Sequence, residues 1–329
     1  MGKASMKKLV CAIAFVTLTG FANGQAQVYP SRPVTMVVPF AAGGSFDVLG
    51  RVLAPPMSEA LGQQVIIENT TGAAGILGTI RVKNAEPDGH TFLFGSIGTH
   101  AYNPTIYKNL RYNVATDFAP VGLFAEQPMV LIAHKELPVD NLQEFIAYVK
   151  SNAGKIQYGS AGVGSTTHLG CTVLNAAMGV SVTHIPYRGG GPAASDLIGG
   201  QIHYLCLNIG GATPLITGDK VKAIATLTRN RASNLPNLPT AHEQGLAGFD
   251  VSTWNAFFLP KATPAAIVKR LNEAMSAAID APALQTHLHE MGVTPVATER
   301  RSSEYLAKFV QDEIERWAGP IKASGIQVD

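Results

Sequence analysis

The chain has 329 residues, 46% of them hydrophobic and 15% charged, with 33 glycines and 20 prolines spread along its length. That is enough apolar material to build two ordinary domains or one large one, and it excludes a disordered tail or a low-complexity chain. Lysine and arginine number 25 against 23 acidic residues, a near balance that gives no electrostatic reason to bind nucleic acid or an anionic membrane.

The first residues read as an export signal. MGKASMKK is basic, and LVCAIAFVTLTGFA is apolar but shorter than the roughly 18 residues a membrane span needs. GQA then offers small residues for a peptidase, which predicts a cut after Ala26, with Gly24 as the alternative. Cys11 lies too early, with no small-residue box before it, to be a lipoprotein cysteine. The cut removes Lys3, Lys7 and Lys8 and no acid, leaving 22 basic against 23 acidic residues. Cys171 and Cys206 remain. Their apolar settings, HLGCTVL and HYLCLN, lean toward two buried thiols, while an oxidising compartment allows one disulfide.

The mature chain alternates strand and helix. VTMVVPF is a strand, and DVLGRVLAPPMSEALG a helix that Pro55 and Pro56 should kink or break. QVIIEN is a strand, TTGAAGILGT opens a helix, and TFLFGS is a third strand. This order predicts a parallel sheet covered on both faces. The pattern restarts at PMVLIAHKE and continues through NLQEFIAYVKSN, KIQYGS, STTHLGCTVLNAAMG, VTHIPYRG, PAASDLIGG, QIHYLCLNI and VKAIATLT. A turn-rich crossing follows, then the strand STWNAFFLP and three helical stretches. The reading is two α/β lobes with a cleft between them. Residues 27–126 and 240–329 form the first lobe, and residues 127–239 are an insertion forming the second.

Several strands run into glycine-rich turns: PFAAGGSFD, FGSIGTH, YGSAGVGSTTH and YRGGGP. Glycine lets peptide N–H groups face a ligand without a Cβ in the way, and a helix start behind each turn adds partial positive charge. Together they make anion receptacles at the carboxyl ends of strands. The lysine of a phosphate-binding loop is absent, and GVGSTT and AAGGSF both miss the dinucleotide spacing. A carboxylate therefore fits neutral N–H and hydroxyl donors better than a phosphate chain does.

A serine hydrolase is the rival class. YGSAG and FGSIG each miss the nucleophile elbow by one glycine. Ser160 or Ser165 with His168 would be its catalytic pair, but serine at a helix start is ordinarily a cap. The nine histidines are scattered; His287 and His289 of HLH read as a solvated helix surface, so no metal is expected. Asp47 reads equally as a helix-start acid or as a holder of water or a ligand donor at the cleft floor. His168 reads as a cleft-facing donor, or otherwise as a core residue bonded to backbone. Phe40 and Trp254 read as aromatic walls, or otherwise as core.

The motifs YPSRPVTMVVPFAAGGSFDVLGR, GQQVIIENTTGAAG, PDGHTFLFGS, YGSAGVGSTTHL, PYRGGGPAASDLIGGQI and LPNLPTAHEQGLAGFDVSTWNAFFLP occur in that order. From about Tyr29 to the C-terminus the chain resembles the Bug-type receptors of tripartite tricarboxylate transporters. The resemblance implies a type II periplasmic binding-protein fold, each lobe a sheet flanked by helices with a ligand cleft between. It implies a monomer in the periplasm, without cofactor or catalysis, that captures a mono-, di- or tricarboxylate, aliphatic or aromatic, and delivers it to integral-membrane permease subunits. Presentation of the ligand to a sensor protein is the alternative outlet. The loops carried over are Phe40 to Asp47 and Ser160 to His168. The expected ligand-binding residues are Phe40, Ala42, Gly43, Gly44, Asp47, Ser96, Ser160, Gly162, Gly164, Ser165, His168, Gly190, Asn208 and Trp254. Pro56, and Asn255 with Ala256 in STWNAFF, depart from the family pattern and bear on the pocket wall rather than the class.

Overall fold

The computed structural model describes residues 29–328; the expected export segment and its cut after Ala26 lie outside the described residues. The elements in chain order are β1 (Val34–Val38), α1 (Ser45–Leu61), β2 (Val65–Asn69), α2 (Ile76–Lys83), β3 (Thr91–Ser96), α3 (Asn103–Ile106) and β4 (Phe118–His134). They continue with α4 (Leu142–Asn152), β5 (Gln157–Ser160), α5 (Thr166–Met178), β6 (Thr183–Pro186), α6 (Gly190–Ile198), β7 (Tyr204–Asn208), α7 (Ile209–Thr217) and β8 (Val221–Thr226). The last are β9 (Ser252–Pro260), α8 (Ala265–Asp280), α9 (Pro282–Glu290), β10 (Thr294–Pro295) and α10 (Ser303–Ala323).

The strands follow the order β2-β1-β3-β9-β4-β7-β5-β6, with β8 and β10 also on β4. The β1/β2, β1/β3, β5/β6 and β5/β7 pairs are parallel, as the alternating pattern predicts. The pairs that β4 makes with β7, β8, β9 and β10 are antiparallel, so the sheet is mixed. β4 is what joins the halves. Phe118 to Pro128 pair with β9, whereas Met129 to Ala133 pair with β7. The long strand therefore leaves one lobe and enters the other.

The first half of β4 does not read as a strand in sequence, because Pro120 and Gly122 interrupt it. The register against β9 shifts between Pro120 and Gly122, and that irregularity lets both residues sit inside a strand. Of the two outcomes expected at Pro55 and Pro56, a kink or a break, the break does not occur: α1 continues across both. Leu49, Leu53, Met57 and Leu61 are buried along it, and each such side chain contributes about 1.5–3 kcal/mol, enough to offset a lost backbone bond.

Successive residues of a strand feed two different cores. Phe92 and Phe94 of β3, Phe124 and Val130 of β4 and Phe257 of β9 belong to one. Leu93, Leu123, Leu131 and Phe258 belong to the other. Both faces are covered by helices, which is why these strands are nearly continuous apolar runs. Cys171 of α5 and Cys206 of β7 are fully buried and joined as a disulfide, with Cα atoms 5.3 Å apart. This overturns the lean toward two separate thiols. Among the described residues no helix is long and apolar enough to cross a membrane.

Candidate functional site

The first glycine turn follows β1. Gly43 has φ +78°, a conformation side-chain-bearing residues rarely adopt, and Gly44 begins α1 with no side-chain cap. Asp47 shapes this turn. Its Oδ2 accepts from the Gly43 amide and from Arg51 Nε, both at 2.9 Å, and its Oδ1 accepts from Asn69 Nδ2 at 3.0 Å. Asn69 Nδ2 also donates to the Phe40 carbonyl at 3.1 Å. Burial pushes the Asp47 carboxyl up, but the hydrogen bonds from Arg51, Gly43 and Asn69 outweigh it and hold the group below its ordinary 3.8. The acid thus fastens the turn rather than facing the cleft floor. It also occupies the Gly43 N–H, so the α1 amides without a helical partner are those of its first turn, Ser45 onward.

The second turn follows β5. Gly162 and Gly164 have φ +116° and +88°. Ser165 caps α5, its Oγ accepting from the His168 amide at 3.2 Å. Thr166 and Thr167 then occupy the first two helical positions, whose amides have no partner inside the helix. Ser160 is fully buried; its Oγ lies 3.0 Å from the Gly162 nitrogen, 3.1 Å from the Gly162 oxygen and 2.6 Å from His184 Nε2. His168 turns inward, with Nδ1 accepting from the Gly164 amide at 3.2 Å and its ring stacked 4.0 Å from that of His184. Burial and the neighbouring His184 lower His168 to about 3, and burial lowers His184 to about 4. Both are neutral imidazoles at neutral pH, and the His168 ring bonds to neither serine hydroxyl.

The third turn is Gly189 to Gly191, at the start of α6, again with no side-chain cap. It packs backbone to backbone on the first turn. A Cβ on Gly191 would lie 2.9 Å from the Ala42 oxygen and 3.2 Å from the Gly44 nitrogen. No side chain fits there without moving the lobes apart. The fourth contributor is Asn208, which ends β7 and starts α7 without capping it.

These four helix starts face one chamber between the lobes. Its walls are Phe40, Gly44, Ser45 and Phe46 from the first turn, Ala161, Thr166 and Thr167 from the second, Gly190 from the third, and Leu207 and Asn208 from β7. No charged side chain lines it. Its free volume is about 10 Å³, room for roughly one water. Two larger cavities flank it, of about 520 Å³ and about 410 Å³. The first is bounded by Gly72 to Ala74, Tyr107, Gly162, Val163 and Pro186 to Arg188. Arg188 is exposed, and none of the ion pairs among the described residues involves it. Ala73 and Ala74 have φ +45° and +52°, strain of order 1–2 kcal/mol per residue that concentrates where a turn is built for a task.

Of the residues expected from sequence, Phe40, Gly44, Gly190 and Asn208 line the chamber. Ala42 and Gly43 line the 410 Å³ cavity and Gly162 the 520 Å³ one. Asp47, Ser96, Ser160, Gly164, Ser165, His168 and Trp254 shape the turns or the core behind them. Ser96 exchanges hydrogen bonds with Thr99. Trp254 is a correction, since its Nε1 donates to Glu313 Oε2 at 3.0 Å and its ring meets Phe309 of α10. Strand alternation sends Thr253 and Asn255 to the other face. Ser45, Phe46, Ala161, Thr166 and Thr167 lie in the two loops the sequence points to without being singled out there, and Leu207 is the one chamber residue outside both loops and the named set. The two threonines follow directly from reading Ser165 as a cap. Among the described residues no group of histidine, cysteine and acidic side chains is placed to hold a metal ion.

The family model for the tripartite tricarboxylate transporter family receptor matches residues 49–326. A protein encoded in the TAR-I ttuE-ttuC' intergenic region of Agrobacterium vitis is 37% identical over 318 residues, covering 97% of this chain and 92% of that one. Among solved structures, the periplasmic binding protein BugD superposes with a TM-score of 0.88 at 40% identity, covering 91% of this chain and 99% of that one. MatC of Rhodopseudomonas palustris, solved with bound malate, gives 0.86 at 40% identity, covering 89% and 100%.

Proposed function

Because the chain belongs to the tripartite tricarboxylate transporter receptor family, we propose that it is a periplasmic receptor that captures a small organic carboxylate in the chamber between its lobes and passes it to membrane permease subunits. The observation that carries this reading is the meeting of four helix starts, α1, α5, α6 and α7, on one chamber without a charged wall. Helix starts attract anions through free amides and partial positive charge, and a carboxylate suits neutral donors. MatC, at 40% identity, holds malate.

In this reading the protein binds without catalysing, as a monomer, after a cut following Ala26. The crossings near residues 126 and 240 serve as the hinge. The chamber as it stands has no room for an organic acid, so the lobes part to admit one and close on it. The buried disulfide suits the oxidising compartment that such a receptor works in. Ser160 as a nucleophile is disfavoured by its complete burial and by the Gly162 backbone already engaging its hydroxyl.

A thermal-shift screen of mono-, di- and tricarboxylates and aromatic acids, with phosphate and sulfate as controls, tests the reading. At a hundredfold excess over Kd a ligand stabilises the fold by about 2.7 kcal/mol, a shift of several degrees. If no carboxylate raises the midpoint at millimolar concentration, the proposal fails.

A further inference from the structure

Asn208 carries one feature that a bare carboxylate site does not use. The residue is 1% exposed and lines the chamber, yet its Oδ1 has no hydrogen-bond partner. Its Nδ2 donates to Thr253 Oγ1 at 3.1 Å, and the Thr253 hydroxyl in turn lies 3.4 Å from the Gln127 carbonyl, to which it donates. That direction of donation makes the Thr253 oxygen the acceptor for the amide. It fixes Asn208 with its nitrogen toward the hinge strands and leaves the carbonyl oxygen as the free atom. A buried acceptor without a donor is unfavourable and rare.

The rest of the chamber supplies the opposite chemistry. The starts of α1, α5 and α6 bring peptide amides without helical partners to the chamber, and Thr166 adds a hydroxyl, whereas the Thr167 hydroxyl already accepts from the Ala161 amide and pairs with Ser165 Oγ. A carboxylate satisfies donors but has no proton for Asn208. What Asn208 lacks is a donor, and a ligand held by its carboxylate at the neighbouring helix starts can bring one within reach. A hydroxyl on the neighbouring carbon meets this need. An ammonium meets it poorly, because the positive starts of α1, α5 and α6 lie around the position, no acid lines the chamber, and Asp47 of the first turn is already bonded to Gly43, Arg51 and Asn69.

We propose that Asn208 Oδ1 accepts a hydrogen bond from the ligand, so that the receptor selects 2-hydroxy carboxylates over their deoxy and 2-amino counterparts. The assignment rests on the carboxylate reading above and sharpens it. Sites built to hydrogen-bond a ligand hydroxyl reject the analogue without it, because the protein's own buried group is then left unmet.

Calorimetric titration of the purified mature protein with matched acids tests the proposal: lactate against propionate, malate against succinate and aspartate. The expected result is at least tenfold tighter binding of the hydroxy acid in each pair that binds. In Asn208→Ala that ratio falls toward one, chiefly through weaker binding of the hydroxy acid. Thr253→Val, which frees the carboxamide to rotate, should lower the ratio partially and guards against a folding defect in the first variant. Equal binding of hydroxy and deoxy acids by the unaltered protein, or an unchanged ratio in Asn208→Ala, overturns the assignment and leaves the carboxylate reading standing. Binding of no acid at all removes both.

Discussion

Asp47 turns its carboxylate back onto the Gly43 amide at 2.9 Å, and this contact sets the shape of the turn whose next residues open α1. Asp47→Ala leaves a strained glycine turn, the Asn69 amide and the Arg51 guanidinium without their shared acceptor. Stability should fall by about 1–3 kcal/mol, and the best carboxylate should bind at least several-fold more weakly. Urea denaturation and calorimetry check the two effects; a variant unchanged in both would show that the turn holds itself. The carboxyl sits below its ordinary 3.8 when folded, so this stabilisation is complete above that value and is lost as pH drops through the lower folded one.

Gly191 tests closure. Alanine in place of glycine within a helix ordinarily gains about 1 kcal/mol, and the free protein should unfold no more easily in Gly191→Ala. Its Cβ, however, would stand 2.9 Å from the Ala42 oxygen when the lobes are shut. Binding should weaken tenfold or more, and the ligand-induced decrease in radius of gyration should shrink in small-angle scattering. Normal affinity with normal compaction would mean that the bound state keeps the two turns apart.

The Cys171–Cys206 bridge closes a loop with a sequence separation of 35. In the chain-entropy account a loop of that length corresponds to about 4 kcal/mol. Reduction, or Cys171→Ala with Cys206→Ala, should lower the denaturation midpoint by an amount equivalent to about 2–4 kcal/mol. A midpoint indifferent to reductant would show that the packing between α5 and β7 suffices alone.

Mild acid should weaken the fold through its buried histidines. Burial holds His100 and His168 at about 3 and His184 at about 4, against an ordinary 6.5. The unfolded chain therefore binds more protons between these values, and stability falls as pH drops from about 6.5 toward 4. The two most buried rings contribute at most about 1.4 kcal/mol per pH unit each within that window. Denaturation series at pH 7, 6 and 5 should show the decline, and His168→Gln should flatten it. A midpoint constant from pH 7 to 5 would contradict the buried, neutral assignment.

Much of the architecture is legible in the chain because its signals are local. Gly43, Gly162 and Gly164 mark turns that need left-handed backbone, Ser165 marks a helix start, and apolar runs of five or six residues mark covered strands. The unread parts depend on distant partners. Both faces of the sheet are apolar, so nothing in STWNAFFLP tells which face Trp254 takes; Glu313, 59 residues away, decides it. The His168 ring is drawn inward by the Gly164 amide and a stacking partner, His184, that arrives on another strand. Cys171 and Cys206 meet only because α5 packs on β7. Asp47 is ambiguous in sequence because an acid in a first turn looks alike whether it bonds outward or back onto its own loop.

The chamber is framed by main chain where glycines let the lobes touch. Residue replacement deletes a carboxamide or a guanidinium readily, but the peptide group persists through nearly every mutation. The holding of one negatively charged head can thus stay constant while Phe40, Thr166, Leu207 or Arg188 drift and re-tailor the space around the remainder of the guest. Such a receptor is tolerant of change at its rim and brittle at a few hydrogen-only positions, so descendants with new tastes can arise without first losing their hold.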